Sequence, residues 1–492
     1  MTSILVSLAW PFVVFWLFAR RQPAAALACT ILGGYLLLPR NFSIDLPAFP
    51  TLNKNSITAL AALAAALVLI RGPRLQALAP GMVLPGLVPR SRSLRILLVL
   101  MVLGVLGTVL TNGDGLRFPA RSLPGLRPYD AASMLGNALF GLLPFLLARK
   151  FLAHPDAQRT LLVTLAAAGL LYSLPTLYEV RMSPQLSRMI YGYFPHSWIQ
   201  HMRGGGFRPV VFLNHGLWLA IFLCSAFLAA MSLWRSGSGP QRLRWMLAAG
   251  WLFMTLALSK GMGALGIGIL LGGVILVLPV RLQILTAAVL AGVVLVYPML
   301  RGAGVVPVDR VIAFAQGIDA DRAGSLAYRT QNEDILLDKA NDRPLFGWGG
   351  WGRNRVYDET GRDISTTDGY WVILIGSGGW VGYIGEFGLL TIPLIFMGLR
   401  WKRMALTPAT AGIALALTAN LIDLIPNATI TPVTWLLAGA LAGRLELGRL
   451  PQGAEAADPD DPLPARRNAY SRQRIRHPSH GPDPVSASRM IR

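Results

Sequence analysis

Residues 325–390 read SLAYRTQNEDILLDKANDRPLFGWGGWGRNRVYDETGRDISTTDGYWVILIGSGGWVGYIGEFGLL. The first third is polar, the middle is rich in glycine and tryptophan, and from Tyr370 the sequence turns apolar. A polar stretch that leads into a lipid-compatible run is an insertion between membrane spans. Its parts can be read separately. Ser325 stands where a helix N-cap belongs, and LAYRTQNEDILLDKA then forms an amphipathic helix of about four turns. Arg329 and Glu333 lie i, i+4 on that helix and are expected to pair on its surface. Pro344 closes the helix. The following turn gathers Phe346, Trp348 and Trp351 among four glycines, and glycine permits tight backbone approach and positive φ. The tryptophans suit either a membrane-interface belt or the apolar face of a sugar ring. Asp368 stands at the mouth of the next span, as a helix N-cap or as a working carboxylate.

Outward from this stretch the chain is hydrophobic. Of 492 residues 53% are hydrophobic and only 14% charged, with mean hydropathy +0.50. Soluble domains carry nearer a quarter charged residues, so this composition belongs to an integral membrane protein. The apolar runs are long and continuous, which favours helices over a barrel. The reading is an all-α polytopic membrane protein with about 12–13 transmembrane helices. Candidate spans lie at roughly 4–19, 24–39, 56–70, 95–111, 131–148, 160–178, 210–234, 245–258, 261–279, 282–300, 370–399, 408–425 and 430–446. The first is read as a retained span rather than a cleaved signal. The span at 370–399 is long and glycine-rich, hence broken or tilted. Glu386 is an acid inside that apolar run, where acids face protein or water and are either packed or functional.

Alternate loops are short and basic: Arg20-Arg21, Arg71 to Arg95, Arg149-Lys150 with Arg159, Arg235 to Arg244, Arg281, and Arg400 to Arg403. By the positive-inside rule these are cytoplasmic, and they absorb much of the net charge of +21, which in a soluble protein would point to nucleic acid. The register divides the chain into a transmembrane domain over 1–449, an external loop with its own helix inserted at 301–369, and a Pro-, Asp- and Arg-rich tail over 450–492 expected to be disordered and cytoplasmic. Cys29 and Cys224 lie in apolar runs without CxxC spacing, so neither a disulfide framework nor a cysteine metal site is expected.

The external loops also carry arginine, which topology does not require there. Residues 112–130 hold Arg117, Arg121 and Arg127, and residues 179–209 hold Arg181, Arg188, Arg203 and Arg208 with His196 and His201. Guanidinium forks bind phosphate oxygens bidentately, so the set suits a membrane-borne phosphate or diphosphate. The alternative is pairing with local acids such as Asp114, Glu179 and Asp130, or snorkelling to lipid phosphates. FRPVVFLNHGLW places Arg208, Asn214 and His215 at a span start, and LALSKGMGALG places Lys260 in a tight turn.

Taken together the pattern resembles the O-antigen ligase and polymerase family of bacterial inner membranes. The signals are GGFRPVVFLNHG before a span, Ser259-Lys260 between two spans, and Ser325-Leu-Ala-Tyr-Arg329 on a helix. Pro344-Leu345-Phe346-Gly347-Trp348-Gly349 follows, then Asp368-Gly369-Tyr370 leading to Gly379-Trp380-Val381-Gly382. The likeness covers about residues 203–395. Ligases of the family have His-Asn where this chain has Asp368-Gly369, a departure that leans towards a polymerase-type or exopolysaccharide relative. The resemblance implies a multi-pass inner-membrane enzyme that transfers a polyprenyl-diphosphate-linked saccharide to a glycan or lipid-linked acceptor, among membrane lipids. It implies diphosphate binding by Arg203, Arg208, Lys260 and Arg329, and catalytic roles for Arg329, Asp368 and His215, with His201 as a rival base. Trp348 and Trp351 are expected at the saccharide. No clustered metal-ligand spacing calls for a divalent ion, and no cofactor or nucleic-acid partner is expected. The rival function is a lipid-linked oligosaccharide flippase, which accounts for many spans and a basic cavity but not for a long inserted loop with its own helix.

Overall fold

The computed structural model describes residues 2–45, 50–78, 81–195, 201–203, 205–317 and 320–448. The described residues are 71% helical, and seven of their helices are long and apolar enough to cross a membrane. The chain begins with α1 (Thr2–Arg20), α2 (Pro23–Leu37), α3 (Lys54–Leu69), the single turn α4 (Pro73–Gln76) and α5 (Arg92–Thr111). It continues with α6 (Pro128–Phe151), α7 (Pro155–Met182), the short α8 (Leu186–Tyr191), α9 (Gly216–Ser236), α10 (Gly239–Leu258), α11 (Met262–Val277) and α12 (Val280–Gly302). The inserted segment holds α13 (Val308–Gln316) and α14 (Ala320–Asn341), and α15 (Tyr370–Leu399), α16 (Pro408–Asp423) and α17 (Pro432–Leu447) complete the body. Every apolar run expected to be helical is so. The tail beyond 448 lies outside the described residues. Among the described residues strand is confined to three two-stranded antiparallel pairs, of which Met202–Arg203 with Gly206–Phe207 bears on the site.

Sequence explains which helices are central. GLWLAIFLCSAFLAAMSLWRS has no polar face, so α9 must be surrounded, and it packs against α7, α10, α11 and α16. In contrast α5 leaves Ile96, Val99, Leu103 and Leu110 exposed, the last at 84%. Such a stripe on so apolar a helix suits lipid rather than water. On its other face Gly104 lies against the Gly382 backbone and Gly107 beneath the Phe346 ring, so α5 and α15 approach closely through small residues.

Long-range bonds gather the loops into two sets. In the basic set, the buried Arg149 pairs with Glu446 and donates to Pro85 O and Gly86 O at 3.1 and 2.9 Å. Glu446 also accepts from the Arg90 backbone at 2.8 Å, and Gln158 joins Ala440 O to Thr410 Oγ1. In the other set, buried Lys54 donates to Tyr35 O, Leu38 O and Phe212 O at 2.9–3.4 Å. Lys54 thereby caps carbonyls at the C-terminal end of α2, where the helix dipole favours a cation.

The α15 helix is broken, not merely tilted. Gly379 adopts φ 64°, ψ −170°, a conformation that only glycine tolerates well. A break strands backbone groups that must find partners in an apolar setting. The Pro344–Gly349 turn supplies them. Trp348 N and Gly349 N donate to Gly376 O and Ser377 O at 2.8 and 2.9 Å, while Trp380 N and Val381 N donate to Pro344 O and Leu345 O at 2.8 and 3.2 Å. From α5, Thr108 Oγ1 donates to Phe346 O at 2.5 Å and Asn112 Nδ2 to Gly347 O at 2.9 Å. The glycine/tryptophan turn is therefore a plug seated in the broken helix. Tyr370 Oη donates to Glu386 Oε1 at 2.5 Å across the same break, so the acid inside the apolar run is bonded and packed.

Candidate functional site

The α14 helix starts earlier than expected. It runs from Ala320, so Ser325 is an interior residue and not its N-cap. Ala320, Arg322 and Ala323 are good helix formers that carry the helix through Gly324, and serine costs little inside a helix. Nor does Arg329 pair with Glu333. Its Nε lies 3.4 Å from Asp368 Oδ2, and its Nη1 reaches Asn427 Oδ1 at 3.3 Å and Pro426 O at 3.4 Å. The α14 helix thus delivers Arg329 to the mouth of α15 and the loop after α16. Asp368 does not cap α15: Gly369 holds the cap position and no side chain closes it. Both partners are about one-third exposed, at 32% and 30%.

Two acids lie beside this pair. Asp423, 3% exposed at the end of α16, accepts from Asn427 Nδ2 at 2.9 Å and Thr429 Oγ1 at 2.6 Å, within electrostatic reach of Arg329. Glu333 turns inward at 8% exposure; burial pushes its carboxyl up to about 7, against the pull of Arg301, and the Asp334 and Asp368 charges add to the rise. Sequence reading passed over Asp423, although an acid in the apolar run LIDLIP is itself the signal. Glu333 was read as a surface partner because helix spacing does not say which face the protein covers.

A second group forms around the α10–α11 turn. Lys260 takes φ 60° there, and its Nζ lies against Gly206, where a Cβ would come within 2.6 Å. Arg208 Nη2 donates to Lys260 O at 3.4 Å, and its aliphatic stem covers Gly216 at the start of α9. His215 caps α9, its Nδ1 accepting from Leu217 N at 3.2 Å. That contact occupies Nδ1 of the ring in capping the helix. The His201 and His215 rings lie 5.4 Å apart. Arg203 belongs to the strand Met202–Arg203, paired with Gly206–Phe207, which places its backbone beside Lys260; its side chain, like residues 196–200 with His196, lies outside the described residues. Glu179 organises this corner by accepting from Leu186 N, Val210 N and Val211 N at 3.0, 2.8 and 2.7 Å, rather than by pairing with an arginine.

Two other basic residues of the insertion, Arg353 and Arg343, are structural. Arg353, 1% exposed, donates to Trp348 O, Asp114 O, Pro124 O and Asn112 Oδ1 at 3.1, 2.9, 3.0 and 3.4 Å. Arg343 pairs with Asp114 at 3.0 Å, which holds that carboxyl below its usual range. Asp130 accepts from the Arg127 backbone. Trp348 departs from its expected role. Its ring is 8% exposed, its Nε1 donates to Lys339 O at 2.7 Å, and the Lys339 and Arg343 cations lie 3.6 and 4.2 Å from the ring. The ring is engaged in packing and has no face for a sugar. Trp351, at 60% exposure, does.

No protein-family model, curated protein or solved structure matches this chain. What the site can do therefore rests on its own chemistry. A guanidinium and a carboxylate meet at 3.4 Å, partly open, at the polar edge of an apolar helical body.

Proposed function

We propose that this chain transfers a saccharide from a polyprenyl diphosphate to a hydroxyl of a glycan or lipid-linked acceptor, at the periplasmic face of a bacterial inner membrane, in the manner of the O-antigen polymerases and ligases it resembles. In this reading about 12–13 helices span the bilayer, the basic loop set is cytoplasmic, and residues 301–369 stand outside. The observation that carries it is the meeting of Arg329 with Asp368. They are brought from separate elements to a half-open ion pair, and their 3.4 Å separation is long for a charge-assisted bond.

A half-open pair can exchange partners. A diphosphate that enters takes the Arg329 guanidinium and releases the Asp368 carboxylate. The acceptor oxygen then attacks the anomeric carbon, and the bond from that carbon to the diphosphate oxygen breaks. The electron pair leaves on the diphosphate, where Arg329 neutralises the growing charge. Asp368 takes the acceptor proton. Asp423 holds Asn427, and Asn427 in turn accepts from Arg329, so the cation is aimed from behind. Arg208 and Lys260 form a second basic station for phosphate oxygens.

The test replaces Arg329 and Arg208 separately by alanine and assays surface polysaccharide in cells at equal protein level. Loss of chain-length ladders with single repeats retained marks a polymerase, and accumulation of free lipid-linked polymer marks a ligase. Normal product from both variants overturns the reading. Flipping of labelled lipid-linked sugar in proteoliposomes without new glycosidic bonds assigns the protein to the flippase class instead.

A further inference from the structure

Trp351 sits in an improbable way. Its φ of 56° puts a bulky residue in the left-handed region, at a cost of about 1–3 kcal/mol. Such a cost is usually repaid by burying the ring, yet this ring is 60% exposed. The neighbouring backbone is rigid. Arg353 bonds Trp348 O within the turn and ties it to the 112–126 segment through three more bonds, and at Gly349 a Cβ would come within 2.7 Å of Leu126. The strain is thus imposed by a fixed platform, and its effect is to hold an indole open.

The indole lines a cleft of about 300 Å³, the lower end of the range for small-ligand sites. Tyr129, 52% exposed at the start of α6, lines the same cleft, as do Arg127 and Asp130. Arg353 also lines the cleft, but its donors are committed to Trp348 O, Asp114 O, Pro124 O and Asn112 Oδ1, which leaves Arg127 and Asp130 as the open polar groups. Two open aromatic rings with such a pair match a sugar. The C–H face of a pyranose lies on indole or phenol, and its hydroxyls donate to a carboxylate and accept from a guanidinium, where a bare phosphate could use only Arg127. Neither Arg329 nor Asp368 lines the cleft.

We propose that the Trp351–Tyr129 cleft is a separate saccharide-binding subsite that holds the acceptor or growing glycan while the chemistry proceeds at Arg329 and Asp368; its place in turnover rests on the transfer reading, its binding chemistry does not. The full chain, purified in detergent, is tested on an array of oligosaccharides built from hexoses, N-acetylhexosamines, 6-deoxyhexoses and uronic acids. The wild type is expected to bind at least one of these classes. Trp351→Ala should weaken that binding about tenfold or more, and Trp351→Phe, which keeps a stacking ring, should stay within about threefold. Tyr129→Ala, on another element, should weaken it as well, guarding against a local folding defect at Trp351. Arg329→Ala should leave array binding unchanged. Absence of wild-type binding, or equal binding by the wild type and Trp351→Ala, overturns the proposal; equal binding with less Trp351→Ala protein in the membrane identifies a lipid-interface anchor. Since the array reads binding without turnover, a transfer reading that fails at Arg329 leaves this result standing, and the reverse.

Discussion

Arg353 and Arg329 lie on the same insertion and in similarly polar sequence, yet their surroundings are opposite. Arg353 is 1% exposed and spends its donors on three backbone carbonyls and one side-chain amide. Arg329 is 32% exposed and faces an acid at 3.4 Å and two weaker acceptors. The first is a rivet that holds the plug to the 112–126 segment. The second is a cation with capacity to exchange its partner. Counting arginines on one side of a membrane protein cannot separate these roles; how fully each fork is satisfied can.

The most severe way to break the contrast is at the plug. Gly379→Ala places a Cβ 2.3 Å from the Leu345 carbonyl carbon and oxygen, all backbone, at a left-handed φ. We expect a loss of about 4 kcal/mol or more and little folded protein in membranes, read by detergent solubility and size-exclusion profile. Arg353→Ala comes next. It strands several buried acceptors and should cost about 2–4 kcal/mol, seen as a lowered melting temperature, with transfer per folded molecule falling far less than for Arg329→Ala. Arg329→Ala should do the reverse. Transfer should fall about 10²–10³-fold with melting nearly unchanged, and Arg329→Lys should recover part of it. Equal melting losses for the two arginine variants would dissolve the distinction between rivet and cation.

The smallest effect concerns Glu333. Its folded pKa of about 7 lies above the ordinary value of 4.5. For an acid raised in the folded state, the native protein binds the extra proton between those values. That contribution to stability is full below pH 4.5 and is lost as pH rises through 7. Glu333→Gln, which mimics the protonated acid, should match the wild type near pH 4.5 and exceed it by about 1–2 kcal/mol near pH 8, read from melting across that range. A pH-independent difference sharpens the comparison the other way, by making Glu333 a structural neighbour of the Arg329 mouth with no protonic role.

Much of the fold was legible from hydropathy alone. Each apolar run is a helix, because roughly 20 uninterrupted apolar residues have no other way to satisfy their backbone in lipid. The glycines of 376–388 announced an irregular span, and the positions of Arg208, Lys260, Arg329 and Asp368 on loops flanking spans could be read directly. What could not be read was which partners those side chains choose. The i, i+4 spacing pointed Arg329 at Glu333, and its position left Asp368 as a cap or a working carboxylate; the fold pairs Arg329 with Asp368 and leaves Glu333 inward. Trp348 and Trp351 are equivalent in a GWGGW pattern, yet one is clamped under two cations and the other is held open.

The sequence by itself determined a mostly helical body, with helices long and apolar enough to cross a membrane, and a polar, glycine- and tryptophan-rich stretch at 301–369, because hydropathy and glycine act locally. Only the tertiary structure decided that this insertion plugs the break at Gly379, that Arg353 is consumed as a rivet, and that Arg329 meets Asp368. Those outcomes depend on which buried donors and acceptors across long chain separations are left to be satisfied, and no local pattern encodes that.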